Sequence, residues 1–317
     1  MNIWKQWNGA LAALAAACAL TACGGGGGSP PATPAPAAPV VVVPTDPQAP
    51  ALTGNIAVDG RLWINYRRAQ AGVAALAQNA LVDRAAQAHS DYQKLNNIVS
   101  HDEIAGKPGY SGTHLLDRLI GAGYSFGNAA YAYGEVISAT TNNSGAYMAD
   151  ELITAIYHRF VMFEPMFKEI GTGSATTSQN YTYFTSDFTA NNGYGAGLGR
   201  GGVVTWPYNG QSGVTPNFFS DYEAPDPVAG VNEVGYPVSV HADINAQLTV
   251  QSFTISQRGG SVLAVKLLAH ASDSETPASA AAIVPLTVLK GATTYDVAFA
   301  GQVDGVTVTR NWSFITK

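Results

Sequence analysis

Residues 148–173 read MADELITAIYHRFVMFEPMFKEIGTG, and within this stretch the pattern passes from one kind of structure to another. Met148, Leu152, Ala155, Arg159 and Met162 recur in steps of four and three, the period of one helix face. The helix they predict ends near Glu164-Pro165, because the residue before a proline is pushed out of the α region. Glu169-Ile170-Gly171-Thr172-Gly173 then reads as a strand, and Tyr181 to Phe188 as its neighbour across a Ser/Thr/Gln/Asn turn.

Upstream, Leu62, Tyr66, Ala69 and Val73 keep helical spacing. After a break near Asn79, so do Leu81, Ala85, Ala88, Tyr92 and Leu95. A Gly- and Pro-rich loop, Gly106 to Gly134, follows, with a short helix around His114 to Ile120. Helices first, with strands after and between, predict an α+β body over residues 51–195 in which helices cover a sheet. Residues 196–317 change character. Val203–Thr205, Tyr236–His241, Leu248–Ile255, Val262–Leu268, Ala281–Val284, Thr294–Ala300 and Val306–Phe314 are short β-prone runs. Arg258-Gly259-Gly260 and Asp304-Gly305 supply turn chemistry between them. This second body reads as an all-β, Ig-like sandwich.

The N-terminus is of a third kind. Lys5 precedes an apolar run from Ala10 to Leu20, too short for the roughly 20 residues that span a bilayer but suited to a secretory signal. Leu20-Thr21-Ala22-Cys23 is similar to the lipobox of bacterial lipoproteins, so residues 1–22 read as a signal peptide and Cys23 as a lipidated anchor. Gly24 is not the Asp that retains such proteins at the inner membrane, which by this resemblance favours the outer one. Residues 23–50 then hold a glycine run and eight prolines between Pro30 and Pro50, a tether extending about 3.1 Å per residue where it adopts polyproline II.

Cys18 and Cys23 are the only cysteines, so neither a disulfide framework nor a Cys-ligated zinc can be built downstream. A net charge of −6 with no Lys/Arg block argues against a nucleic-acid partner. Charged residues are only 12% of the chain, a share more typical of envelope and secreted proteins than of cytosolic enzymes.

Four of the six histidines, His89, His101, His114 and His158, lie in the first body. Taken alone, His89 reads as a core-edge residue against Tyr92, and His114 as a surface or capping residue; His241 and His270 look incidental. Their setting says more. Asn65-Tyr66-Arg67-Arg68 with Gly72, Ala88-His89-Ser90, Ser100-His101-Asp102-Glu103, Arg118, Gly123-Tyr124, Gly134-Glu135-Val136-Ile137, Tyr157-His158-Arg159 and Glu169–Gly173 form an ordered series. The series resembles the CAP superfamily (cysteine-rich secretory proteins, antigen 5, pathogenesis-related 1) in its bacterial SCP-like branch.

The resemblance implies an α-β-α sandwich with two histidines and two acidic side chains in an open cleft, which in some members binds a divalent metal such as zinc. His101 corresponds to the first histidine, Glu135 to the glutamate of the family's G-E-N motif and His158 to the second histidine. The second acid is open between Glu103 and Glu151. Glu151 lies seven residues before His158, about 10 Å along a helix axis, which favours Glu103. The chain departs from the family at Val136, Tyr157 and Leu152, where Asn, Gly and Trp are usual. Two imidazoles with carboxylates form an N/O set suited to zinc. By the same resemblance, the cleft takes a small apolar molecule, fatty acyl or sterol-like, or a cell-wall fragment, with Tyr124, Phe126, Tyr131, Tyr133, Phe160 and Phe163 as candidate lining. A metal-dependent hydrolase is the alternative, with Glu135 or Glu103 as base, though neither H-E-x-x-H nor G-x-S-x-G occurs. A non-catalytic adhesion scaffold is a third possibility.

Overall fold

The computed structural model describes residues 49–317. The signal, lipobox and tether readings, Cys23 included, fall almost wholly outside them.

Helix α1 (Ile56–Ala71) starts at Asn55, whose side chain accepts the Val58 N–H, and stops at Gly72, which takes the left-handed conformation. Helix α2 (Ala80–Asn96) is capped in the same way by Asn79 and ends at left-handed Asn97. After α3 (Leu115–Gly121) the chain enters β2 (Ala132–Thr140), whereas β1 (Ala77–Gln78) is a two-residue strand ahead of α2. The helix predicted over 148–162 is two helices, α4 (Gly145–Thr154) and α5 (Ile156–Met162), divided at Ala155, whose ψ of 117° is extended. The correction has an identifiable source: the first N–H groups of α5 bond outward to Glu223, far along the chain, and not back to α4.

Strands β3 (Glu169–Thr176) and β4 (Thr182–Ala190) complete a sheet of order β1-β3-β4-β2, parallel only at β1–β3. Helices α1 and α4 lie on one face and α2 on the other. The Gly-Thr-Gly alternation in β3 shows why. Thr172 sends its hydroxyl to the Ala57 carbonyl of α1, while Gly171 and Gly173 face α2 so closely that a Cβ on either would sit 2.2–2.3 Å from its backbone. β4, between the helical layers, is buried along its whole length. This is an α-β-α sandwich, the fold class expected for the first body.

The C-terminal region is β-rich. β5 (Val204–Trp206), β8 (Val238–His241), β11 (Ala280–Pro285) and β10 (Val265–Ala269) form one sheet, and β9 (Leu248–Gln257), β12 (Thr294–Val303) and β13 (Val306–Ile315) another. All seven predicted strands are present. A further pair, β6 (Asn217–Phe219) and β7 (Glu233–Gly235), was not anticipated. The β12–β13 hairpin turns on Asp304-Gly305, both at positive φ, as the sequence indicated.

The two regions share one core. Ile64, Phe163 and Phe188 belong to the same buried cluster as Val240, Ile255 and Phe314. β11 is buried on both faces: Ala281 and Ile283 join that cluster, while Ala280, Ala282 and Val284 pack with Ile156, Tyr157 and Phe160 of α5. Its unbroken apolar run has that physical cause. Helix α5 is therefore held between the sandwich and the β-rich region.

Candidate functional site

Gly171, Asp187 and Glu135 form one cross-strand row, so Glu135 points to the α2 face of edge strand β2 while Gly134 points the other way, against Val161 of α5. On the α2 face Glu135 meets two partners. Its Oε1 lies 2.9 Å from His101 Nδ1, and its Oε2 accepts from Arg118 Nη2 at 2.6 Å. Arg118, fully buried on α3, also donates to the His101 carbonyl. One guanidinium thus fixes both the carboxylate and the loop that carries the imidazole. The Glu135 side chain is 3% exposed and the His101 ring 49%, so a buried acid holds a ring that solvent reaches. With Nδ1 occupied by the carboxylate, Nε2 is the nitrogen free to meet a ligand.

Burial works to raise the Glu135 carboxyl, but Arg118, His89 and His101 outweigh it and hold it well below the usual carboxylate range. Asp187, directly opposite, goes the other way: burial and the charge on Glu135 raise it well above normal. Two carboxyls facing each other in a buried row do not both ionise, and Arg118 selects Glu135 as the anion.

The remaining expected site residues lie elsewhere. Glu103 is buried and bonds His89 Nδ1 at 2.8 Å as well as the Ser111 amide, with burial opposing and His89 and Ser111 producing a net lowering of its pKa. His89 also bonds the Ser100 carbonyl through Nε2 and stacks on Tyr92, so it organises the His101 loop from beneath. Glu151 bonds Ser138, and His114 bonds Asp102. His158 turns its Nδ1 to Glu223, 3.0 Å away in the C-terminal region. Among the described residues, no hydrogen bond or ion pair joins His158 to His101 or Glu135. The structure brings together His101 and Glu135. Arg118, present in the sequence series without an assigned role, is their anchor. Asp187 and Glu223 were missed; the one signal for Asp187 was a lone acid in an otherwise uncharged strand, and Glu223 carried none.

The six candidate aromatic residues also divide. Phe126 contacts Tyr124, Tyr131 and Tyr133 with ring centroids 4.7–5.9 Å apart. Tyr133 and Glu135, two residues apart, share a face of β2. Phe160 and Phe163 instead flank the buried His241 at the junction of the two regions. His241 is thus a core residue at that junction and not incidental.

The donor set does not fit a divalent cation as it stands. Both Glu135 oxygens are engaged, one by a guanidinium that would repel the ion, and the second histidine is committed to another carboxylate. Among the described residues no group of three metal-ligating side chains occurs, and no helix is long and apolar enough to cross a membrane.

An α-β-α sandwich with a histidine fixed by a glutamate at its edge strand defines the class. Residues 63–188 match the cysteine-rich secretory protein family, CAP, and the chain therefore contains a CAP domain. Among solved structures, it is similar to an extracellular protein containing a SCP domain from Bacillus anthracis str. Ames (23% identity, TM-score 0.35, 42% of this chain and 39% of that one). It is also similar to an outer surface protein from Borrelia burgdorferi (14% identity, TM-score 0.35, 42% of this chain and 90% of that one). The chain thus spans about two fifths of the Bacillus protein. No curated protein matches it.

Proposed function

We propose that the chain is a cell-envelope binding protein, tethered through lipidated Cys23 to the outer membrane, whose CAP domain takes a small ligand with an apolar body and a polar end. The observation that carries this reading is the shared face of β2, where the half-buried Tyr133, packed against Phe126, lies two residues from Glu135, which holds the exposed His101. The rings supply apolar contact and His101 Nε2 accepts a hydroxyl or other donor. A fatty acyl, sterol-like or cell-wall fragment meets that description. The hydrolase alternative gains no support from the donor set, whose carboxylates are already engaged by Arg118 and the two histidines.

Mass spectrometry of a solvent extract from the purified protein tests the reading: one apolar species should copurify, and an empty protein counts against it. For the anchor, Cys23→Ser should move the protein from the membrane to the soluble fraction with both regions folded. A variant that stays with membranes removes the lipobox assignment.

A further inference from the structure

We infer that Glu223, supplied by the β-rich region, is the acidic partner of His158, so the second histidine of the CAP pattern is positioned from outside the CAP domain. Helix α5 begins at Ala155, which has no side chain able to cap it, directly after α4 ends. Its first three N–H groups, those of Ile156, Tyr157 and His158, all donate to Glu223, at 2.9, 2.6 and 3.1 Å. The same carboxylate lies 3.0 Å from His158 Nδ1. It therefore closes the helix terminus and orients the ring in one contact set.

The geometry repeats that at His101. Each ring presents Nδ1 to a glutamate whose side chain is buried, and Nε2 makes no bond to a described residue. The His158 side chain is 22% exposed against 1% for Glu223, so an acid beneath again holds a ring that solvent reaches. Neither acid weighed from sequence for this role is available, since Glu103 is bound to His89 and Glu151 to Ser138. The next residue strengthens the attachment. Arg159 is fully buried, donates to the Pro237 carbonyl and Ser239 hydroxyl, and lies over the Tyr236 ring at 4.9 Å. Both members of the His158-Arg159 pair are thus fixed by the C-terminal region.

The test is long-range nitrogen–proton NMR of the full chain labelled with 15N-histidine, at a pH where the ring is neutral. The wild type should show His158 as the Nδ1–H tautomer. Glu223→Ala should shift it toward Nε2–H, the form a free imidazole favours, whereas Glu223→Gln, whose amide oxygen still accepts, should retain Nδ1–H. The His101 tautomer should not change. A wild-type His158 in the Nε2–H form overturns the inference whether or not the variants fold, and so does an unchanged tautomer in a folded Glu223→Ala.

Discussion

The two histidine–glutamate pairs whose rings reach solvent, His101–Glu135 and His158–Glu223, are built differently. His101 and Glu135 are 34 residues apart within the CAP domain, clamped by a buried arginine from the same domain. His158 and Glu223 are 65 residues apart and join two regions, with the acid acting through backbone amides of a short helix. The first pair is an internal property of the domain fold. The second exists only because the β-rich region packs on α5 and shares its core. His158 thus takes its acidic partner from outside residues 63–188.

Removing the clamp of the first pair should have the largest effect. Arg118→Leu leaves Glu135 buried without its counter-charge, an uncompensated ion that costs about 3–5 kcal/mol. Urea denaturation should show a loss of that size, and a change under about 1 kcal/mol would mean that Arg118 does not hold the pair. Glu223→Ala should cost less, about 2–3 kcal/mol, because several buried donors lose one acceptor but no charge is left stranded in the core. A loss equal to that of Arg118→Leu would erase the energetic distinction between the two pairs.

The junction between the regions gives a pH-dependent test. Glu164 bonds the amides of Met166 and of Ile244 across the junction, and burial raises its carboxyl to about 8 against 4.5 in the open chain, with Asp243 reinforcing the rise and Arg68 opposing it. The native state therefore retains a proton that the unfolded chain has lost, and this contribution to stability should fall as pH rises from 4.5 through about 8. Glu164→Gln should flatten that slope. His241 acts at the acidic side: burial, then Arg159 and Arg68, push it down to about 3, so the folded protein excludes a proton that the unfolded chain takes up below 6.5. The two contributions cancel between pH 4.5 and 6.5, so stability should fall above 6.5 through Glu164 and below 4.5 through His241. An unchanged alkaline slope in Glu164→Gln would remove the junction as its source.

The sequence disclosed those parts of the fold that rest on local chemistry. The period of α2, the Asn79 break, the Gly-Thr-Gly strand and the Asp304-Gly305 turn all carry their own signals, and each stands where it was expected. Strand β2 did not, although it carries Glu135, because it follows directly on a glycine-rich loop and mixes Gly, Ser and Ala with its β-prone residues. The break at Ala155 was hidden for a different reason. The spacing of Met148 to Met162 is helical throughout, and the interruption comes from Glu223, whose approach depends on how distant strands pack. In the same way, the motif series brought out His101 and Glu135, while Glu103 pairs with His89, which the series contains without that role, and His158 pairs with Glu223, which lies in no motif. Long-range packing decided those contacts.

The smallest structural change gives the most direct test of function. His101→Ala with Tyr133→Ala removes one exposed ring and one half-buried one, leaving Arg118 and the fold in place. Titration with a fluorescent fatty-acid analogue should show the wild type binding and the double variant at least about tenfold weaker, a difference of roughly 1.4 kcal/mol. Equal affinity in the two proteins would contradict the assignment of the β2 face as the ligand site.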